Sequence, residues 1–259
     1  MRGTVVVVPA FNEGCTIASV IADLRAQAPE RIIVVDDGSA DDTAARVRSL
    51  ASGVAAGPAV ELLRHPTNLG KGFALASGIA RALALGAQRV VTFDADGQHS
   101  GSDIPRLEQA ATRDPDALVI AARTRDRQQA PPLRRFANET ADFWISWACG
   151  RRIDDTQSGF RLYPATLLAR LPTRPRRGQG FAFETEILID AMAAGATPRC
   201  VAIATRYPTQ GRASHYRPWG DTWSIILLVA GRLLRRGMYP KGLLRALRPA
   251  PAGSAGTGA

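Results

Sequence analysis

Apolar residues in the first half of the chain come in short β-branched runs, separated by longer stretches in which they recur with helical spacing. The runs at residues 4–8, 31–35, 60–64, 89–93 and 117–122 predict strands, and the stretches at 15–27, 41–51, 71–85 and 102–112 predict helices between them. Nearly continuous apolar strands alternating with amphipathic helices imply an α/β fold, a mostly parallel sheet with helices on both faces. Helix starts are marked locally. Ser39-Ala40-Asp41-Asp42 offers caps, and Ser102-Asp103-Ile104-Pro105 puts proline in a first turn.

Beyond Arg123 the pattern changes. Residues 125–135 are charged and contain prolines, as an exposed loop would be. A helix rich in Phe136, Phe143, Trp144 and Trp147 is predicted over 135–149, with the aromatics read as packing rather than substrate contacts. A loop over 153–161, a helix over 183–194, a strand over 199–207 and an amphipathic helix over 219–236 follow. No repeat or linker divides this stretch. One domain over 1–218 is expected, then basic amphipathic helices over 219–248 and a disordered Pro/Gly/Ala tail over 249–259.

Composition sharpens the C-terminal part of this picture. The net charge is +10, yet it is concentrated from Arg199 onward, where ten basic residues meet a single acid, Asp221. Such a segment suits phosphates, an anionic membrane surface or nucleic acid. No recognisable nucleic-acid motif accompanies it, so no nucleic-acid partner is expected. Cys15, Cys149 and Cys200 are far apart and odd in number, as reduced thiols of a cytoplasmic protein would be. No apolar run has the length of a membrane span, and no signal peptide is read before residue 4.

In open α/β sheets, ligands bind beyond the carboxyl ends of the strands. Pro9-Ala10-Phe11-Asn12-Glu13, Asp36-Asp37-Gly38-Ser39 and Asp94-Ala95-Asp96-Gly97-Gln98-His99 all fall there. Carboxylates gathered at one edge raise one another's pKa unless a cation neutralises them. Asp94 and Asp96, two apart at a strand end, would face one side and reach a single Mg²⁺ or Mn²⁺, with Gln98 or His99 as a further ligand. Asn68-Leu69-Gly70-Lys71-Gly72 reads either as a plain helix start or as a donor-binding turn; it lacks P-loop spacing. Of Glu184 and Glu186, one is expected to face solvent.

These motifs in this order resemble the family 2 glycosyltransferases of GT-A (Rossmann-like) fold, within them the dolichyl-phosphate mannosyltransferase-like, polyprenyl-phosphate glycosyltransferase branch. Asp155-Thr156-Gln157-Ser158-Gly159-Phe160-Arg161 and Phe181-Ala182-Phe183-Glu184-Thr185-Glu186 extend the likeness, which covers roughly residues 4–236. The resemblance implies inverting transfer of a sugar from a nucleoside diphosphate sugar to a polyprenyl phosphate. By position, Pro9, Phe11 and Glu13 border base and ribose, Asp37 the base, and Lys71, Ala95 and Arg123 the donor. Asp94, Asp96 and Gln98 hold the metal and diphosphate, and Arg161 and Glu184 line the acceptor side. Arg212, Ser214 and Arg217 fall in a segment that closes on phosphates. Phe11 stands where the family more often has Tyr. A hydroxyl acceptor would need a general base, for which Asp154, Asp155 and Glu184 are candidates. The competing readings are a glycosyltransferase acting on a hydroxyl of another lipid, glycan or small molecule, a sugar nucleotidyltransferase, and a basic nucleic-acid binder. The first strand lacks the Gly-rich, basic loop that a nucleotidyltransferase wants. A lipid acceptor would set the protein on the cytoplasmic face of a membrane, with the C-terminal helices either in the interface or packed on the sheet.

Overall fold

The computed structural model describes residues 1–52, 57–125, 132–172, 175, 182–204 and 218–248. Arg212, Ser214 and Arg217, Phe181, and the tail from 249 lie outside the described residues. In chain order the elements are β1 (Thr4–Ala10), α1 (Ile17–Ala26), β2 (Arg31–Asp36), α2 (Thr43–Ser52), β3 (Ala59–Arg64), α3 (Lys71–Ala84) and β4 (Arg89–Thr92). Then come α4 (Ile104–Arg113), β5 (Ala117–Ala122), α5 (Pro132–Cys149), β6 (Arg161–Pro164), α6 (Ala165–Leu168), α7 (Ala182–Ala193), β7 (Thr197–Ala202), α8 (Pro218–Arg235) and α9 (Pro240–Ala246).

The strands form one seven-stranded sheet in the order β3-β2-β1-β4-β6-β5-β7. All pairings are parallel except those of β6, which runs antiparallel to β4 and β5. The alternating side chains of β1 and β2 feed two cores: Val5, Val7, Ile33 and Val35 face one, Val6, Val8, Ile32 and Val34 the other. Burial on both faces is what a central parallel strand needs, and it explains the unbroken β-branched runs.

β6 was not expected. Residues 153–161 read as a loop, and the strand that follows is only four residues long. Its placement sets up the site. Because β6 is antiparallel, its first residue, Arg161, pairs with Thr92, the last residue of β4. The loop 153–160 is thereby delivered to the carboxyl edge of the parallel strands.

The C-terminal helices divide by face rather than by length. Val229 (4 % exposed) and Leu233 (2 %) pack on the core, while Leu227 (67 %) and Leu234 (68 %) on the same helix stand in solvent with Trp223 and Ile226. Arg232 fixes the buried side to α7 through Glu186 at 3.0 Å and Asp190 at 2.8 Å. Trp147 of α5 donates its indole N–H to the Tyr239 carbonyl at 3.2 Å, holding α9 against α5. Among the described residues, no helix is long and apolar enough to cross a membrane.

Candidate active site

Two loops at the carboxyl edge brace each other. Asn12, in a left-handed conformation (φ 56°), donates its backbone N–H to the Ser39 hydroxyl at 2.8 Å. Its side-chain oxygen accepts from Ala40 N–H at 2.9 Å. Glu13 N–H bonds the Thr43 hydroxyl at 2.8 Å, and the Glu13 carboxylate accepts from Thr16 at 2.9 Å. Pro9 is buried opposite Val35, and Phe11 and Glu13 are partly exposed beyond it.

Asp37 is turned inward. Its carboxylate accepts from Leu69 N–H (3.0 Å) and Gly70 N–H (2.7 Å) and meets His65 Nδ1 at 2.6 Å. Gly70 has φ 100°, a conformation that favours glycine, so the chain turns there and α3 begins at Lys71. Asn68–Gly72 is thus a helix start, but one that aims the Lys71 side chain into the edge.

Lys71 Nζ lies 2.7 Å from Asp94 Oδ1 and 3.1 Å from Glu184 Oε2. Burial alone would lower the Lys71 pKa; Asp94 and Glu184 outweigh it and hold it above its ordinary value. Burial likewise opposes ionisation of Asp94, yet Lys71 and then His99 keep its carboxyl below the usual range. Gly159 backs the cluster. A Cβ there would fall 2.6 Å from Glu184 Oε1, 2.9 Å from Asp94 Oδ2 and 3.1 Å from Lys71 Nζ. The Thr92 hydroxyl fixes this backbone by donating to the Gly159 carbonyl at 2.7 Å.

β4 stops at Thr92, so Asp94 and Asp96 sit on a turn rather than on the strand whose alternation predicted their common side. Asp96 accepts from Gln98 N–H at 2.9 Å. Its pKa is raised, first by burial and then by the charge of Asp94. Ala95 between them is buried. His99 is buried beside Phe93 and Phe160, with Nε2 4.0 Å from Asp94 and Nδ1 lacking a hydrogen-bond partner. Burial keeps its pKa low despite Asp94.

The loop before β6 closes the far side. Asp155, left-handed at φ 57°, receives the backbone N–H, Nε and Nη2 of Arg123, each at 2.8 Å. Burial raises the Asp155 pKa, and Arg123 overcomes it to leave the carboxyl below its ordinary value. Asp142 of α5 accepts both the backbone N–H and the hydroxyl of Thr156 at 2.8 Å. Arg161, expected on the acceptor side, lies beneath the site at 1 % exposure. Its guanidinium donates to the carbonyls of Ser158 (2.8 Å), Thr156 (2.7 Å) and Glu184 (2.7 Å). Neither glutamate of α7 is simply solvent-facing: Glu184 meets Lys71 and Glu186 meets Arg232.

The structure therefore brings Lys71, Asp94, Asp96, Arg123, Asp155 and Glu184 to one edge, with Arg161 and Asp37 bracing it from within. Gly159, Thr92, Asp142 and His65 complete it and were not singled out from sequence. For Gly159 and Thr92 the signal existed, in a Ser-Gly turn and a polar residue ending an apolar strand. Asp142 was hidden among helix aromatics.

The residues suit a divalent cation. Asp94 and Asp96 are neighbouring carboxylates at one edge, and the charge of Asp94 adds to burial in raising the Asp96 pKa, a repulsion that a cation would relieve. Among the described residues, no three or more His, Cys, Asp or Glu side chains are grouped to hold an ion by themselves.

The sequence is 34 % identical over 161 residues to an uncharacterized protein of Methanocaldococcus jannaschii, covering 61 % of this chain and only 63 % of that relative. It is 30 % identical over 182 residues to the UDP-N-acetylglucosamine–dolichyl-phosphate N-acetylglucosaminyltransferase of Methanococcus voltae, covering 66 % and 72 % of the two chains. Among solved structures it resembles glucosyl-3-phosphoglycerate synthase of Mycobacterium tuberculosis, in complex with Mn²⁺, uridine diphosphate and phosphoglyceric acid. There the TM-score is 0.60 and the identity 26 %, over 92 % of this chain and 79 % of that one. The mixed, mostly parallel sheet is the GT-A-like arrangement expected from sequence. The description "Glycosyl transferase family 2" matches residues 5–167. Braced strand-end loops, paired carboxylates beside Lys71 and this match across most of the chain agree, and the chain belongs to glycosyl transferase family 2.

Proposed function

We propose that this chain transfers a sugar, with inversion, from a nucleoside diphosphate sugar to a polyprenyl phosphate, using Mg²⁺ or Mn²⁺. The observation that carries the reading is the meeting of Asp94 and Asp96 with Lys71 and Arg123 at one sheet edge. Asp94, Asp96 and Gln98 would hold the metal, which offsets charge growing on the diphosphate leaving group. Lys71 and Arg123 add positive charge on the same side. The braced notch of Pro9, Phe11 and Glu13 borders the nucleoside. Arg212, Ser214 and Arg217 remain proposed phosphate contacts.

The choice of acceptor rests on the state of two of the three candidate bases, Asp155 and Glu184. Arg123 occupies both oxygens of Asp155, and Lys71 pairs with Glu184. A carboxylate held by a cation is a poor proton acceptor. An acceptor phosphate is already an anion and needs no base. A lipid carrier also fits the surface. Exposed Phe143 and Trp144 follow directly on Asp142, whose carboxylate grips Thr156 next to Asp155. The relative from Methanococcus voltae is named for a dolichyl-phosphate acceptor.

The test is product analysis by mass spectrometry. The full chain is incubated with Mn²⁺, a panel of uridine and guanosine diphosphate sugars, and either polyprenyl phosphate in detergent or phosphoglyceric acid. A glycosyl phosphopolyprenol is expected. Transfer to phosphoglyceric acid alone would reject the lipid acceptor, and no transfer from any donor would reject the function.

Membrane contact is part of the same proposal. Trp223, Leu227 and Leu234 project from α8, and Leu244 and Leu247 from the α9 end, among Arg235, Arg236, Lys241, Arg245 and Arg248. Apolar side chains flanked by arginines suit an anionic bilayer interface. Full-length protein should co-sediment with vesicles containing phosphatidylglycerol, less so as salt rises, and not with phosphatidylcholine alone. The double substitution Leu227→Glu and Leu234→Glu, which leaves buried Val229 and Leu233 untouched, should abolish binding. Unchanged sedimentation of that variant would refute the surface.

A further inference from the structure

We propose that Lys71 is a stand-in for the divalent cation: its ammonium bridges Asp94 and Glu184, and a bound metal would compete with it for Asp94. This rests on the metal-dependent glycosyltransferase reading and assigns Lys71 and Glu184 roles that go beyond donor or acceptor contact.

Two observations support it. First, the ammonium joins two carboxylates from distant parts of the chain, at 2.7 Å and 3.1 Å, against a Gly159 backbone that leaves no room for a side chain. Asp94, Glu184 and Lys71 crowd a single small space. Second, Lys71 is the first residue of α3, and no acid occupies that helix's first turn. The positive end of a helix repels an ammonium, so Lys71 is held there by the carboxylates of other elements.

When Asp94 turns to the metal, Glu184 keeps the ammonium inside the site. The flexible stem of lysine lets it move to the donor diphosphate that arrives with the metal. Glu184 is then a positioning residue: it acts through Lys71, not on the acceptor.

The sign of the effect separates this from ordinary roles. A lysine that only binds donor would, when removed, weaken nucleotide binding and leave metal binding alone. A merely structural lysine would, when removed, lower stability. A stand-in would, when removed, tighten metal binding to the nucleotide-free protein. Free Mn²⁺ is measured by electron paramagnetic resonance during titration of the full chain, with folding monitored by circular dichroism. Lys71→Met should bind Mn²⁺ more tightly than the unaltered protein, on the order of tenfold, while Lys71→Arg should not. Glu184→Gln, which removes one of the two carboxylates that Lys71 bridges, should bind Mn²⁺ more weakly, and it supplies an independent arm should Lys71→Met fold poorly. Equal or weaker Mn²⁺ binding by folded Lys71→Met, or unchanged binding by Glu184→Gln, overturns the proposal. If unaltered protein binds Mn²⁺ with uridine diphosphate while these shifts are missing, only the stand-in role falls. If no variant binds Mn²⁺ with or without nucleotide, the metal reading falls with it.

Discussion

Replacing Arg161 with Met is expected to destabilise the fold by about 3–5 kcal/mol, the scale for removing one partner from a buried charged network. Arg161 is 1 % exposed, and its three strong hydrogen bonds all go to backbone carbonyls, of Thr156, Ser158 and Glu184. Methionine fills similar space but leaves those acceptors buried and unmet, at about 1–3 kcal/mol for each group left unsatisfied. Lysine cannot restore them, since one ammonium does not reproduce a planar fork aimed at three carbonyls. The carbonyls belong to the two segments that carry Asp155, Gly159 and Glu184, so the loss reaches the site as well as the core. Urea unfolding should show a lower midpoint with little change in slope. A loss below about 1 kcal/mol would mean that the network is not the brace inferred from its geometry.

This residue also marks where sequence reading stopped. An arginine after a Ser-Gly turn reads as surface or substrate-facing, because fully buried arginine is rare. Only the pairing of β6 with β4 shows otherwise, and β6 itself was invisible. Arg161-Leu162-Tyr163-Pro164 is too short for alternation to register, and it is a strand because two neighbours supply its hydrogen bonds. The five strands of the first half were legible: four are β-branched or alanine-rich runs buried on the sheet, and β3, at the edge with only Val60 buried, still shows as a short apolar run. The strand read at 199–207 starts two residues earlier, at Thr197, and residues 205–207 lie outside the described residues. β7 is an edge strand and tolerates proline at its second residue.

In the site the same division holds. Asp94 and Asp96 were legible as a motif at a strand end, although the strand stops short of them. Their partners were not. Lys71 and Glu184 meet across 113 residues of chain, a pairing that no local pattern records. Asp155 announced itself as a carboxylate in a loop, but its capture by Arg123 depends on two loops meeting. The C-terminal helix was legible as amphipathic. Which stripe is buried required the arginine clamp to α7: Arg232 points Val229 and Leu233 inward and leaves Leu227 and Leu234 outside.

The second large effect concerns Asp96. Its side chain accepts one backbone hydrogen bond, from Gln98, and carries a raised pKa beside Asp94, as a carboxylate poised for a cation would. Asparagine keeps its size and can still accept from Gln98 N–H, so the turn and the fold should survive. What it removes is charge. If Asp96 helps to hold the metal that stabilises the leaving diphosphate, transfer should fall by at least about 10²-fold, the scale for one preorganised group acting on developing charge. Metal-dependent nucleotide binding should weaken in parallel, because nucleotide and metal then share fewer ligands. The decisive measurement is the initial rate of sugar transfer by Asp96→Asn beside the unaltered chain. Mn²⁺ is present throughout, folding is checked by circular dichroism, and a parallel sample of unaltered chain is stripped by chelation. The predicted result is a folded variant with transfer reduced to background and a stripped protein that recovers on adding Mn²⁺. Full activity of the variant, or turnover indifferent to thorough chelation, would contradict a metal-dependent glycosyltransferase centred on Asp94 and Asp96.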